Sequence, residues 1–187
     1  SGNSSLIDVA SGTGDIAKLC SERTNDSCEI MCVEPSEKML SVGKKKLNKL
    51  KNLKWVLSSA ESLPFENEFF DYYVISFGIR NVTDLDKSLN EAYRVLKNGG
   101  RLFCLEFSKV ENEIFKVIYK KYSQLIPLIG KFVAGSEMPY DYLVQSIERF
   151  YNQDEFSDLL VDKGFANVEY RNLANGIAAI HSGWKIE

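Results

Sequence analysis

The residues best placed to do chemistry fall first in Asp8-Val9-Ala10-Ser11-Gly12-Thr13-Gly14-Asp15-Ile16-Ala17, where small residues occupy a strand-to-helix turn. Glycine and alanine there let a ligand approach the backbone closely. Gly12-x-Gly14-x-x-Ala17 satisfies the dinucleotide fingerprint, and Glu34 follows twenty residues after Gly14, as a ribose-binding acid should. Asp15 argues against a pyrophosphate, because it sets a carboxylate where phosphate needs unopposed backbone donors. Asp8, inside the strand, can position an ammonium group or a water. A ligand with a ribose and a cationic amino-acid tail but no phosphates, S-adenosylmethionine, suits this pattern. The plain alternative is a tight turn in which Asp15 merely favours a helix start.

A second group lies in Val74-Ile75-Ser76-Phe77-Gly78-Ile79-Arg80-Asn81-Val82-Thr83, where an apolar run breaks into glycine, arginine and asparagine. In an open α/β sheet, ligands collect beyond the carboxyl ends of strands, so this break reads as the floor of a pocket. Arg80 stays protonated and cannot be a conventional base, but it can stabilise developing negative charge. Its structural alternative is an ion pair with Asp84 or Asp86. Asn81 orients an oxygen or a turn backbone. The loop Ser58-Ser59-Ala60-Glu61-Ser62-Leu63-Pro64-Phe65 reads as a cover for an adenine edge, or as an ordinary turn fixed by Pro64.

Elements to position these residues follow from periodicity and breakers. Strands are expected at 6–10, 29–33, 53–57, 70–76 and 101–107, and helices at 14–22, 36–50 and 84–96, the last stopped by Asn98-Gly99-Gly100. Strands alternating with helices imply a doubly wound, mostly parallel sheet. From Glu113 the pattern changes to an apolar helical stripe at Phe115, Ile118, Tyr119, Tyr122, Leu125, Ile126, Ile129, Phe132 and Val133, interrupted by Pro127 and Gly130, which reads as packing on the sheet edge or as a lid over an apolar ligand. Helices at 140–150 and 154–163 follow, then a hairpin of 166–172 and 176–181.

The 187 residues, 44% hydrophobic and 26% charged, describe one globular domain without internal repeats. A net charge of −3 gives no case for nucleic acid. Lys44, Lys45, Lys46, Lys49, Lys51 and Lys54 read as a solvated face, with contact to an anionic membrane as the second reading. The cysteines Cys20, Cys28, Cys32 and Cys104 form no Cys-x-x-Cys pair and have His181 as their only imidazole companion, so no metal site is expected. His181 is not expected to be catalytic. No run is long and apolar enough to span a bilayer, and no signal sequence is expected.

Taken together, Asp8 to Ala17, Ala60 to Phe65, Ile75 to Asp84, Arg94 to Arg101, Leu105-Glu106-Phe107-Ser108-Lys109, Tyr140 to Ile147 and Gly176 to Lys185 resemble the ubiquinone/menaquinone biosynthesis C-methyltransferase family. The Ser-Phe-Gly-Ile-Arg-Asn-Val and Leu-Glu-Phe-Ser-Lys strings carry most of the specificity, and the resemblance covers essentially the whole chain. It implies a Rossmann-like class I methyltransferase fold, a seven-stranded sheet with the last strand antiparallel and a helical lid insertion at about 111–150. The implied reaction is methyl transfer from S-adenosylmethionine to a ring carbon of a polyprenylated quinol. Carried onto this chain, the cofactor contacts are Asp8, Ala10, Ser11, Gly12, Thr13 and Gly14; Glu34, Pro35 and Met39; Ser59, Ala60 and Glu61; and Ser76, Phe77 and Gly78. Arg80 and Asn81 are the implied catalytic residues, and with Tyr140 and Tyr142 they face the quinol.

Departures from the family pattern are Ser11 for glycine, Glu34 for aspartate, Asn98 for proline and Gln145 for glutamate. The last weakens any acid-base role at that position. The family's N-terminal helical segment is expected to be missing here. Peripheral membrane association follows from a lipid substrate, on the cytoplasmic face of a bacterial inner membrane or the matrix side of a mitochondrial one, with a homodimer or a quinone-biosynthesis complex as further partners. Two rival functions remain: methylation of another small aromatic or sterol acceptor, and a non-catalytic cofactor-binding scaffold.

Overall fold

The computed structural model describes residues 4–108 and 140–186. Residues 109–139 lie outside the described residues, and with them the whole of the expected lid stripe. Strands β1 (Ser5–Val9), β2 (Glu29–Glu34), β3 (Leu53–Leu57), β4 (Phe70–Ser76), β5 (Leu96–Phe107), β6 (Phe165–Leu173) and β7 (Ala178–Lys185) form a seven-stranded sheet in the order β3-β2-β1-β4-β5-β7-β6. The first five positions of that order run parallel, while β7 is antiparallel to both β5 and β6. Chain order reverses between β1 and β4, and at such a switch point the strand ends open a crevice.

Each sheet face is covered by helices whose apolar stripe the sequence supplies. On one face α1 (Asp15–Arg23) and α2 (Glu37–Lys46) enclose Leu6, Ala17, Ile30, Cys32, Leu47 and Leu53. On the other, α3 (Leu85–Val95) and α5 (Gln153–Asp162) bury Leu89, Ala92, Val95, Phe156 and Leu160 against Ile7, Tyr73, Ile75 and Leu102. Between them in sequence, α4 (Tyr140–Arg149) approaches the 3-10 turn Ile79–Asn81 that follows β4. The α5 start is fixed by a capping box between Asn152 and Glu155.

One boundary differs instructively from expectation. Asn98-Gly99-Gly100 does not stop a helix; α3 ends at Val95 and the chain passes directly into β5. Leu96, fully buried, pairs with Phe70, and while β4 advances from Phe70 to Tyr72, β5 advances from Leu96 to Arg101. Asn98-Gly99-Gly100 therefore bulge out of register, with Gly99 at φ +80. The carbonyls of Arg94 and Val95 at the helix end accept from the amides of Glu68 and Phe69, so no cap residue is needed. The helix α2 is also shorter than expected, ending at Lys46 with Leu47 as its cap.

Candidate active site

The turn after β1 is built from left-handed residues, with Ala10 at φ 53, Gly12 at φ 58 and Gly14 at φ 81. Gly14 opens α1 but has no side chain to cap it. Asp8 supplies the missing acceptor from the strand, its carboxylate taking the Ala17 amide in the first helical turn. Asp8 is 1% exposed and its Oδ2 has no partner among the described residues. Burial, with a smaller contribution from Glu34, pushes its carboxyl up to about 7 against the opposing Ala17 amide. A carboxyl so poised gains most from a cation brought beside it.

Asp15, read from sequence as an electrostatic obstacle, is held at 2.6 Å by Lys46, which also reaches the Thr13 hydroxyl. The Lys46 hydrogen bond lowers the Asp15 carboxyl below its usual range. Thr13 Oγ1 in turn donates to Asp15 at 3.0 Å, so its hydroxyl is engaged within the loop. The rest of the lysine run is exposed.

Glu34, at the carboxyl end of β2, is buried with both oxygens fixed by backbone: Gly12 N–H donates to Oε2 at 2.8 Å and Ser36 N–H to Oε1 at 2.9 Å. Each oxygen keeps a lone pair, and a pinned carboxylate of this kind can accept from two vicinal hydroxyls. The Gly12 amide, already donated, is unavailable to a phosphate. This reaches the sequence conclusion about pyrophosphate by a different route, since Asp15 is neutralised. Pro35 is exposed beside Glu34, and the Met39 methyl lies 3.3 Å from where a Gly12 Cβ would sit, roofing the turn.

The loop after β3 is tied to α3. Glu91 accepts the Leu63 amide at 2.8 Å, and Arg94 donates to the carbonyls of Leu63 and Phe65 at 3.0 and 2.8 Å. This anchoring presents Ser59 half-buried, whereas the Ala60 methyl is core and leaves only its backbone for a ligand. The Glu61 carboxylate accepts the amides of Thr83 and Asp84, which commits it to the start of α3.

At the end of β4, Ser76 is half-buried and Phe77 stands at φ 54, a costly conformation for an aromatic residue. Gly78 follows, and a Cβ on it would lie 2.5 Å from the Ala10 Cβ, so the Ala10 side chain of the β1 turn packs on the Gly78 backbone of the β4 turn. Arg80 then enters a buried pair that the sequence did not reveal: Nη1 lies 2.7 Å from Glu106 Oε1, with the two side chains 6% and 2% exposed. Neither Asp84 nor Asp86 is its partner. Asp84 caps α3 and Asp86 pairs with Lys163. Arg80 Nη1 also donates to the Phe77 carbonyl at 2.8 Å and Nε to Ser146 Oγ at 3.4 Å. Burial raises the Glu106 carboxyl, opposed by Arg80 and by the Phe107 and Arg80 amides.

Arg80 lines a cleft of about 300 Å³ with Ile79, Val82, Leu85, Tyr142, Gln145 and Phe150 among its walls. Among the described residues the cleft has apolar sides, two guanidiniums, Arg80 and Arg149, and no carboxylate in its lining. Tyr142 donates to Asn81 Oδ1 at 3.3 Å across its mouth. Tyr140 opens α4, but its side chain is not among those described. The glycine turn does not line this cleft; the two regions meet through Ala10, Gly78 and Arg80.

His181 stands apart on β7, its Nε2 2.9 Å from the Gln153 carbonyl and its ring against Phe156. Burial lowers its pKa. All four cysteines are free, and no metal-binding cluster occurs among the described residues. No helix among the described residues is long and apolar enough to cross a membrane.

A sequence model of the ubiE/COQ5 methyltransferase family matches residues 1–185. The ubiquinone/menaquinone biosynthesis C-methyltransferase UbiE of Rickettsia felis is 50% identical over 191 residues, covering 98% of this chain and 77% of that protein. Its counterpart in Rickettsia prowazekii is 48% identical over the same shares. Among solved structures, a SAM-dependent methyltransferase from Aquifex aeolicus matches with a TM-score of 0.73 at 18% identity, over 99% of this chain and 84% of that one. The CurJ carbon methyltransferase gives 0.76 at 16%, over 100% and 50%. At such identities the structural likeness speaks to the fold alone.

Proposed function

We propose, because the chain belongs to the ubiE/COQ5 methyltransferase family, that it methylates a ring carbon of a polyprenylated benzoquinol or naphthoquinol in ubiquinone or menaquinone biosynthesis. The observation that carries the site assignment is the placement of Arg80. Its guanidinium lines an apolar cleft two residues beyond Gly78, which itself touches the glycine turn.

The residues of the turn fit S-adenosylmethionine. Glu34 accepts the ribose hydroxyls, the unpartnered Asp8 carboxyl favours the cationic tail, and the Gly12 and Gly78 backbones leave room for close approach. The bound cofactor supplies the methyl group and its own sulfonium leaving group. What the protein adds is in-line positioning and an electron-rich acceptor. Arg80 stabilises the phenolate oxygen that forms as the quinol hydroxyl gives its proton to solvent water, the ring carbon that receives the methyl then loses its hydrogen to water as a proton, and Asn81 with Tyr142 orients the ring. A polyprenyl tail keeps the substrate in a bilayer, so the enzyme works in peripheral contact with the inner face of a bacterial inner membrane.

The test is mass spectrometry of protein incubated with S-adenosylmethionine and liposomes carrying either quinol type. One added methyl on the ring is expected, with protein sedimenting alongside the liposomes. Arg80→Ala should bind the cofactor normally but lose about a hundredfold or more in turnover. No methylation of either quinol, or full turnover by Arg80→Ala, would overturn the assignment.

A further inference from the structure

Glu106 is more tightly engaged than a neutralising counter-ion needs to be. Its Oε2 accepts the Arg80 backbone amide at 3.3 Å, while Oε1 accepts both Arg80 Nη1 at 2.7 Å and its neighbouring Phe107 amide at 2.8 Å. One carboxylate thus grips main chain and side chain of the same arginine. The guanidinium is further confined by the Phe77 carbonyl, by Ser146 on α4 and by the Phe107 ring, 5.2 Å from Cζ. Phe107 is itself packed on Phe77 with ring centroids 4.6 Å apart. Among the described residues only Nη2 of this guanidinium has no partner.

Stability does not account for such an arrangement. Taking both charges out of water costs several kcal/mol per ion by general estimates, and a well-packed apolar pair commonly serves as well. The strand also points elsewhere. Leu102, Cys104 and Glu106 share the buried face of β5, so the carboxylate replaces an apolar residue at the carboxyl end, where sites form.

We propose that Glu106 is the positioning residue for Arg80, holding the guanidinium from its amide and Nη1 so that Nη2 is presented to the acceptor oxygen in the cleft. The inference rests on the role given to Arg80 above. It adds that the charge of Arg80 is not sufficient and that its orientation, set from the neighbouring strand, is what turnover requires.

The experiment compares Glu106→Asp, Glu106→Gln, Arg80→Ala and the Arg80→Ala/Glu106→Gln double variant, reading kcat, quinol KM, calorimetric cofactor affinity and thermal midpoint. Glu106→Asp keeps the charge but withdraws it by about one bond length, and a displacement near 1 Å costs roughly a hundredfold. Folded Glu106→Asp and Glu106→Gln should lose about tenfold to hundredfold in kcat, with cofactor affinity within about twofold of the parent. In the Arg80→Ala background, Glu106→Gln should cost nothing further, because both changes remove one interaction. If Glu106→Gln does not fold, Glu106→Asp decides alone. Parental kcat in a folded Glu106 variant, or an equal loss in the Arg80→Ala background, would overturn the inference while leaving the Arg80 assignment standing. Full turnover by Arg80→Ala would remove both.

Discussion

Gly78→Ala is the sharpest test of how the two halves of the site are joined. The substitution is permissible for the backbone, since Gly78 stands at φ −113, an ordinary value for alanine. The obstacle is space: the new Cβ would lie 2.5 Å from that of Ala10, whereas carbon contacts settle at about 3.5–4.0 Å. The two turns must part by about 1 Å or more. Ala10 cannot yield freely, because it is held at positive φ and the following residue is tied by its amide to Val33 at 3.0 Å. Overpacking of this kind costs about 1–3 kcal/mol of stability. A 1 Å displacement between cofactor and acceptor sides costs about a hundredfold in rate.

Gly99→Ala is the matched control. Gly99 has φ +80 but no atom within 4 Å, so alanine there meets backbone strain of about 1–2 kcal/mol and no clash. Thermal midpoints of the two variants should therefore fall by comparable amounts, while calorimetry and initial methylation rates should show lost cofactor affinity and turnover in Gly78→Ala only. Parental affinity and rate in Gly78→Ala would refute the argument that contact between these turns sets the methyl-transfer geometry.

Two further expectations concern buried titratable groups. The Asp8 carboxyl, raised to about 7 when folded, binds a proton that the unfolded chain has released, so stability of the ligand-free protein should decline from pH 4 to 7 and then level off. Its slope is on the order of 1 kcal/mol per pH unit at most, and Asp8→Asn should abolish it in denaturant titrations. Cofactor affinity should tighten between pH 6 and 8 in the parent and stay flat in Asp8→Asn; parallel curves would exclude the carboxylate as the feature that attracts the cation. For His181, whose folded pKa is lowered, the sign is opposite: its contribution is complete above the unfolded value and is lost as pH falls below it. As the single histidine, it gives one imidazole signal by NMR, which should titrate below the ordinary range. His181→Asn should keep its methylation rate at neutral pH, and a large loss would overturn its structural role.

Much of this was legible from residue order. The positions of Asp8, Glu34 and the glycine turn were legible because each is a polar or small residue at or near the carboxyl end of an apolar strand, and local sequence determines that phase. Arg80 was legible for the same reason. Its partner was not, because the pairing depends on the register of β4 against β5, which sets Ser76 beside Leu105 and so brings Glu106 to the following turn. The available signal was an acid in phase with Leu102 and Cys104. The hydrogen bonds of Glu61 to the start of α3 were not legible for a related reason: a loop carboxylate between two elements serves whichever backbone lies nearer, and only the fold decides that. Asn98-Gly99-Gly100 looked like a helix stop because a bulge and a cap use the same residues, and only the pairing of Leu96 with Phe70 separates them.

The packing of Trp55 has a consequence of a different kind. Its indole fills the space that side chains at Gly14 and Gly43 would need, coming within 2.8 and 2.2 Å of their would-be Cβ atoms. The ring thus rests on the backbone of the glycine turn, and the chain's other indole, Trp184, lies across the sheet against Arg101. With Trp184 replaced by phenylalanine, the protein carries a single tryptophan, which can be excited apart from its tyrosines, seated on the turn proposed to receive the cofactor. Occupancy of that turn then becomes readable as light emission from unlabelled protein, separately from any step in the cleft beyond Arg80.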